Sequence, residues 1–317
     1  NGLLKAIIPF GVAAVTGDTR LTVGGNARLN AGAGVLLRAA SDISAEAEAT
    51  MGSLKFTLAL AVVQAETHVK VGGNAVVTAG GDVKLSALNA VHAEAAALGK
   101  QPNLLALKPA SGGYIAGSFV FQDTSAMIAD SASVTSGAAL TVKSESKLDT
   151  ATTSVSIPAS ESDGSGGESP LPTDQIKLTS IVPFVENLLK VEKAPNQTAF
   201  GKLLAGVTGS NSLGNKFTDA TKTVKPTSTP SSSNQIVGAL ALAYAGNANN
   251  ALINTTGSVT AAGAVDVTAL AATVNRVRAD GSLYKTPLAQ AEDAKNSVGV
   301  GVAIAITNHQ NNAKITA

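Results

Sequence analysis

Large apolar and small residues alternate strictly along much of this chain. The clearest run is Val298–Ile306, where Val or Ile at every second position is separated by Gly or Ala. A period of two predicts a β-strand with two unlike faces. Counterparts run over Ile7–Ala14, Phe56–Val63, Tyr114–Phe121 and Ile236–Ala245. Each leads into a polar cluster: Gly17–Asp18, Glu66, Asp123, Asn247–Asn250 and Asn308–Asn312. Such Gly, Asn and Asp clusters predict turns. Four segments then read as versions of one another: Leu21–Gly32, Val69–Gly80, Ile128–Gly137 and Ile253–Gly263, with a fifth beginning at Ile315. Beyond a Gly corner come the strands Val35–Ala39, Val83–Ala87, Leu140–Lys143 and Val265–Ala269. A more polar strand, such as Ile43–Ala49 or Val91–Ala97, closes the unit.

The anchor positions Leu29, Val77, Val134 and Val259 are separated by 48, 57 and 125 residues. The unevenness has one source. Extra residues enter only between the last strand of one unit and the first of the next: near Met51–Ser53, at Leu98–Gly113, at Ala279–Ser297, and at length over Ile157–Asn234. Without them the unit is about 45 residues, and growth confined to one corner is the behaviour of a solenoid. The expected fold is therefore all-β, a parallel β-helix or β-solenoid. Each repeat forms either one wide coil or two coils of about 20 residues.

The long insertion divides the chain into solenoid repeats over 1–156, an insertion over 157–234, and further repeats over 235–317. Pro158–Pro172 and Pro226–Asn234 are Pro/Ser-rich linkers. Between them Thr173 or Asp174 can cap a helix. Ile181, Phe184, Val185, Leu188 and Leu189 form one apolar stripe at helical spacing. Pro183 predicts a break that opens a second helix, and a shorter helical segment follows at Thr198–Ala205. This small α-helical insertion is expected to pack on the flank of the solenoid or cover an edge. The alternative is a docking helix for a partner.

Composition narrows the function classes. The 317 residues are 44% hydrophobic but include only 7 Phe, 3 Tyr and no Trp, so the core is built from Ala, Val, Leu and Ile. With 14% charged residues and a net charge of +1, no basic stripe supports nucleic-acid binding. The absence of cysteine excludes disulfides and thiolate metal sites. The longest apolar runs, Ile236–Ala245 and Val298–Thr307, fall short of the roughly 18 residues of a membrane-spanning helix. The chain opens at Asn1 without a basic leader, and both ends fall within the repeat pattern, as expected for a piece of a longer array.

Candidate chemistry is sparse. His68, His92 and His309 have no HxH or HxxxH partner, so no metal ligand set is expected. Glu46 and Glu48 share one strand face. The matching positions in the next unit read as His92 and Glu94, so no ladder of carboxylates forms for glycan hydrolysis. Gly299 and Gly301 lie inside a strand and make no phosphate loop. The corner acids Asp18, Asp82 and Asp130 lack the calcium-roll pattern. No catalytic residue, cofactor or metal is expected. Two surface features stand out instead. One column of small residues contains Gly11, Ala13, Ala59, Ala61, Ala116, Ser118, Ala241, Ala243, Ala303 and Ala305. A flat Gly/Ala face permits close approach and is the candidate assembly face for lateral packing. The other is an outward row of Asn30, Thr78, Thr135 and Thr260.

The segments Gly301–Ala305, Asn311–Ile315 and Gly257–Ala269 (GVAIA, NNAKI, GSVTAAGAVDVTA) resemble repeats of very large secreted bacterial exoproteins, the filamentous-haemagglutinin-like and leukotoxin-like adhesins. The resemblance covers nearly everything except Ile157–Asn234. It implies a β-solenoid exposed outside the cell and a role in adhesion or extracellular scaffolding, with no catalytic residues to carry over. The resulting expectation is a non-enzymatic structural or adhesin rod. It would self-associate end to end or laterally, in fibres or a surface layer, and could engage cell-surface glycans or proteins. A β-helix glycan-active enzyme or glycan-binding domain is the alternative.

Overall fold

The computed structural model describes residues 10–50, 56–99, 112–155, 235–281 and 297–316. They form thirteen strands in three parallel sheets. Sheet A stacks β1 (Phe10–Val23), β4 (Phe56–Val71), β7 (Gly112–Asp130), β10 (Gln235–Thr255) and β13 (Ser297–Thr316). Sheet B stacks the short strands β2 (Arg28–Ala31), β5 (Val76–Ala79), β8 (Ser133–Ser136) and β11 (Val259–Ala261). Sheet C stacks β3 (Val35–Thr50), β6 (Val83–Leu98), β9 (Leu140–Val155) and β12 (Val265–Asp280). One repeat is thus one wide coil, A to B to C, and the chain is a parallel β-solenoid. No helix occurs among the described residues, and the expected helical insertion with its stripe Ile181, Phe184, Val185, Leu188 and Leu189 lies outside them.

Register follows the anchors. Leu29 pairs with Val77, Val77 with Val134, and Val134 with Val259, so the uneven spacing closes into one straight column. The residues between successive coils always fall between a sheet C strand and the next sheet A strand. A loop at that corner can lengthen without disturbing any ladder.

The two corners flanking sheet B are tight. At the first, Gly25 and Gly73 both take φ of 63°, a left-handed conformation that costs Gly nothing. Asp130 occupies the same place in the third coil with φ 60°, a substitution that Asp tolerates better than most residues. At the second, Gly32, Gly80 and Gly137 stand above one another. A Cβ on Gly80 or Gly137 would strike the carbonyl oxygen of the glycine one coil away. These close backbone approaches, rather than flexibility, explain the glycines.

The polar clusters do not turn the chain. Asp18, Glu66, Asp123, Asn247 and His309 lie inside continuous strands, and the separate strands expected on either side of each cluster are one. For the inward members the reason is visible between sheets A and C, where polar side chains hydrogen-bond one another and the main chain. Ser41 lies 2.6 Å from Thr67 and donates to Asn89 at 3.0 Å. Gln122 donates to the carbonyl of Asn89 at 2.7 Å. Asn247 donates to Ser146 at 2.8 Å, and Asn249 to the Leu270 carbonyl at 2.7 Å. These bonds offset part of the cost of burying the amides, although Gln122 Oε1 and Asn247 Oδ1 find no partner among the described residues, and the strand continues through.

This polar seam divides the interior in two. Toward sheet B lies a core of Val69, Val71, Val77, Leu85, Ile128, Val134 and Leu140. Full burial of each such side chain contributes about 1.5–3 kcal/mol. Beyond the seam the sheets close together on alanine: Ala59, Ala61 and Ala116 face Ala45, Ala47, Ala93 and Ala95.

Candidate interaction face

On the outward face of sheet A, apolar and ionisable side chains gather in register. The large members of the alternating runs point away from the interior here. Leu60 and Val62 on β4, Phe119 and Phe121 on β7, and Leu240, Leu242 and Tyr244 on β10 form a third apolar cluster. Leu58, Ile115, Val302, Ile304 and Ile306 border it. The rings of Phe121 and Tyr244 are tilted by 36° with centroids 5.3 Å apart, a favourable aromatic geometry. Leu60 is 4% exposed and Tyr244 0%, whereas Val12, in the same row on β1, is 37% exposed. Among the described strands, β4, β7 and β10 pack chiefly against their sheet neighbours and sheet C.

Further along the same strands the face becomes charged. Asp18, Glu66 and Asp123 stand in register, and the next outward row is Arg20, His68 and Ser125. Arg20 bridges the acids, with its Nε 2.7 Å from Asp18 and an Nη 2.7 Å from Glu66. Gln64 donates to Glu66 at 3.1 Å. His68 Nε2 lies 3.6 Å from Glu66 and its Nδ1 2.7 Å from Ser125 Oγ. Burial pushes the Asp123 carboxyl above the usual carboxylate range, and Glu66 adds to this, while His68 and Arg20 oppose it. Side by side, Ser125, His68 and Glu66 carry the groups of a hydrolytic triad. Ser125, however, is only 4% exposed, and Glu66 is already held by Arg20 and Gln64. The arrangement balances charge over three stacked strands.

The small-residue column is aligned as expected but faces the other way. Gly11, Ala59, Ala116, Ala241 and Ala303 are in register, as are Ala13, Ala61, Ser118, Ala243 and Ala305. Ala59, Ala61, Ala116, Ser118, Ala241 and Ala243 are buried. Ser118 hydrogen-bonds Thr152 of sheet C, and a Cβ on Gly11 would strike the Glu48 carbonyl. The column is small because sheet C approaches it closely. Ala303 and Ala305 are exposed only because β13 is the last strand of its sheet. The candidate assembly face is thus interior, and the large residues of the same strands form the exterior.

Other expected features are placed plainly. Asn30, Thr78, Thr135 and Thr260 form one outward row on sheet B. Glu46 and Glu48 are exposed on sheet C, but Glu46 pairs with Glu94 and Glu48 with Ala96, a two-residue shift from the expected alignment. His92 lies 3.8 Å from Asp149 and 3.9 Å from Glu94. The acids expected at corners already have cationic partners, although Asp18 lies within β1: Asp18 with Arg20 at 2.7 Å, Asp82 with Lys84 at 3.2 Å, and Asp130 with Lys70 at 3.0 Å. Among the described residues no group of three His, Cys, Asp or Glu side chains is placed to hold a metal ion, and no helix is long and apolar enough to cross a membrane. The apolar exterior of sheet A was missed in the sequence, although Leu58, Leu60 and Val62 occupy the large positions of the same alternating run. No protein-family model matches the chain, and neither a curated protein nor a solved structure matches it.

Proposed function

We propose that the chain is a non-enzymatic structural segment of a secreted or cell-surface adhesin-like protein, serving as a rigid spacer. The column Leu29–Val77–Val134–Val259 carries this reading. It stays in register across coils although the chain between its members varies from 48 to 125 residues. A rod tolerant of insertions at one corner can present variable loops along its length while its axis stays straight. The resemblance of Gly257–Ala269 and its counterparts to filamentous-haemagglutinin-like and leukotoxin-like repeats supports an extracellular role.

Self-association belongs to the same reading, but not through the alanine column. The free edges of the terminal strands are where a further coil, from this or another chain, would add. Electron microscopy and light scattering of the purified protein test the proposal. Straight rods that lengthen with concentration, together with binding to cell-surface glycans or proteins, are expected. Compact particles that turn over a polysaccharide would overturn it.

A further inference from the structure

We propose that the outward face of sheet C docks a second copy of this chain, antiparallel to the first, about a twofold axis parallel to the strands. The proposal rests on the self-association inferred above and adds a lateral route to the one at the strand edges. The face is open. Its outward side chains are all half-buried or exposed, and Leu36, Leu270 and Val274 remain 64%, 46% and 47% exposed.

Charge selects the occupant. Glu46 on β3 and Arg276 on β12 lie in one column of the sheet, and Glu48 and Arg278 lie in the next outward column. The first coil is thus acidic where the fourth is basic. Within one copy, the ion pairs around these columns join Arg276 to Asp149, Arg278 to Asp280, and His92 to Asp149 and Glu94. Among the described residues they leave Glu46 and Glu48 without a cation. A twofold axis parallel to the strands, midway between β6 and β9, keeps each residue in its column. It exchanges the first coil with the fourth and the second with the third. Glu46 of one copy then meets Arg276 of the other, and Glu48 meets Arg278, each pair occurring twice. In the inner coils His92 meets Asp149, and Leu98 meets Val155. No outward residue meets a like charge across this axis.

Size agrees as well. Each strand of sheet C has 16 residues, which extend about 50 Å, and four such strands make a face about 19 Å wide. Docking would remove about 900 Å² from water on each copy, against about 800 Å² for a standard interface. The ion pairs lie near water and each contributes little, so charge sets the orientation more than the strength. The dimer therefore dissociates on dilution, and a dilute chain melts as a monomer.

Charge reversal on the full chain, read by sedimentation equilibrium, tests the docking. The protein should dimerise at low salt and more weakly at high salt. Glu46→Arg/Glu48→Arg, and separately Arg276→Glu/Arg278→Glu, should each weaken dimerisation at least about tenfold, because each sets like charges against one another. All four positions are exposed, so the β-sheet circular dichroism should be retained. Mixing the two variants in equal amounts should restore a dimer of one copy of each, since every facing pair is opposite again. A dimer that both reversals leave unchanged, or a mixture that associates no better than its components, would overturn this face and leave association through the strand edges standing. A chain that stays monomeric at every concentration would overturn both.

Discussion

Asp130 Oδ2 accepts a hydrogen bond of 2.9 Å from the main-chain N–H of Gly73, one coil away, and lies 3.0 Å from Lys70 Nζ. Asp130 thus replaces the glycine of the corner and ties that corner to its neighbour. The Gly73 amide, and then Lys70, hold its carboxyl below the usual range. Asp82 is held low in the same way by the Ala139 amide and Lys84. A carboxyl with a depressed pKa in the folded state stabilises that state fully above its unfolded value, near about 3.9. The stabilisation is lost as pH falls through the folded value. The melting temperature should therefore drop as pH is lowered from 5 toward 2, and the drop should be shallower in the Asp82→Asn/Asp130→Asn double variant. At neutral pH, Asp130→Ala should be less stable than Asp130→Gly. Both lose the carboxylate, but only Gly takes φ of 60° without strain. The reverse order in thermal melts would refute this account of the corner.

Asn249 tests the polar seam. It is fully buried and donates to the Leu270 carbonyl at 2.7 Å and to Asn311 Oδ1 at 3.0 Å. Asn249→Leu removes the donor to the Leu270 carbonyl and the acceptor of the buried Ser144 hydroxyl, a loss of about 1–3 kcal/mol. Asn311→Leu should cost less, because Asn311 is exposed on the terminal strand. Urea unfolding of the two variants gives the order directly.

Ala241 separates a core from an assembly surface. It is fully buried, between Ala116 and Ala303 in the ladder. Ala241→Glu places a carboxylate where neither water nor a cation reaches it, and should cost several kcal/mol and abolish cooperative folding. Ala272→Glu, on the exposed face of sheet C, should leave the melting temperature unchanged within a degree or two. A folded Ala241→Glu protein that had merely lost self-association would return the small-residue column to the exterior.

The coil and its register were legible because alternation and the Leu29–Val77–Val134–Val259 anchors each recur once per turn. The sidedness of sheet A was not. Its strands are apolar on both faces, as parallel strands often are, so period two separates the faces without saying which is inside. The decisive fact is the closeness of sheet C, seen in the contact that a Cβ on Gly11 would make with Glu48. The Asn clusters misled for a related reason. Asn247 and Asn249 have the composition of a turn, but stacked between sheets they find partners that only the assembled coil provides. The Arg20–Glu66–His68–Ser125 group had no local signal, since its members come from three coils.

Asp123 makes the opposite prediction to the corner acids. It sits on the outward face of sheet A, where burial first and Glu66 next raise its carboxyl above the ordinary value, against the pull of His68 and Arg20. A carboxyl raised in the folded state is a net cost once it ionises. The cost is absent below the unfolded pKa, near about 3.9, and complete above the folded value. Asp123→Asn removes the charge while keeping the shape. It should raise the melting temperature at pH 7, with the gain shrinking to nothing by about pH 3.5, where the wild-type carboxyl is protonated too. A loss of stability at pH 7 would mean that the attraction of Arg20 and His68 outweighs burial. An equal gain at both pH values would place the effect in packing and not in charge.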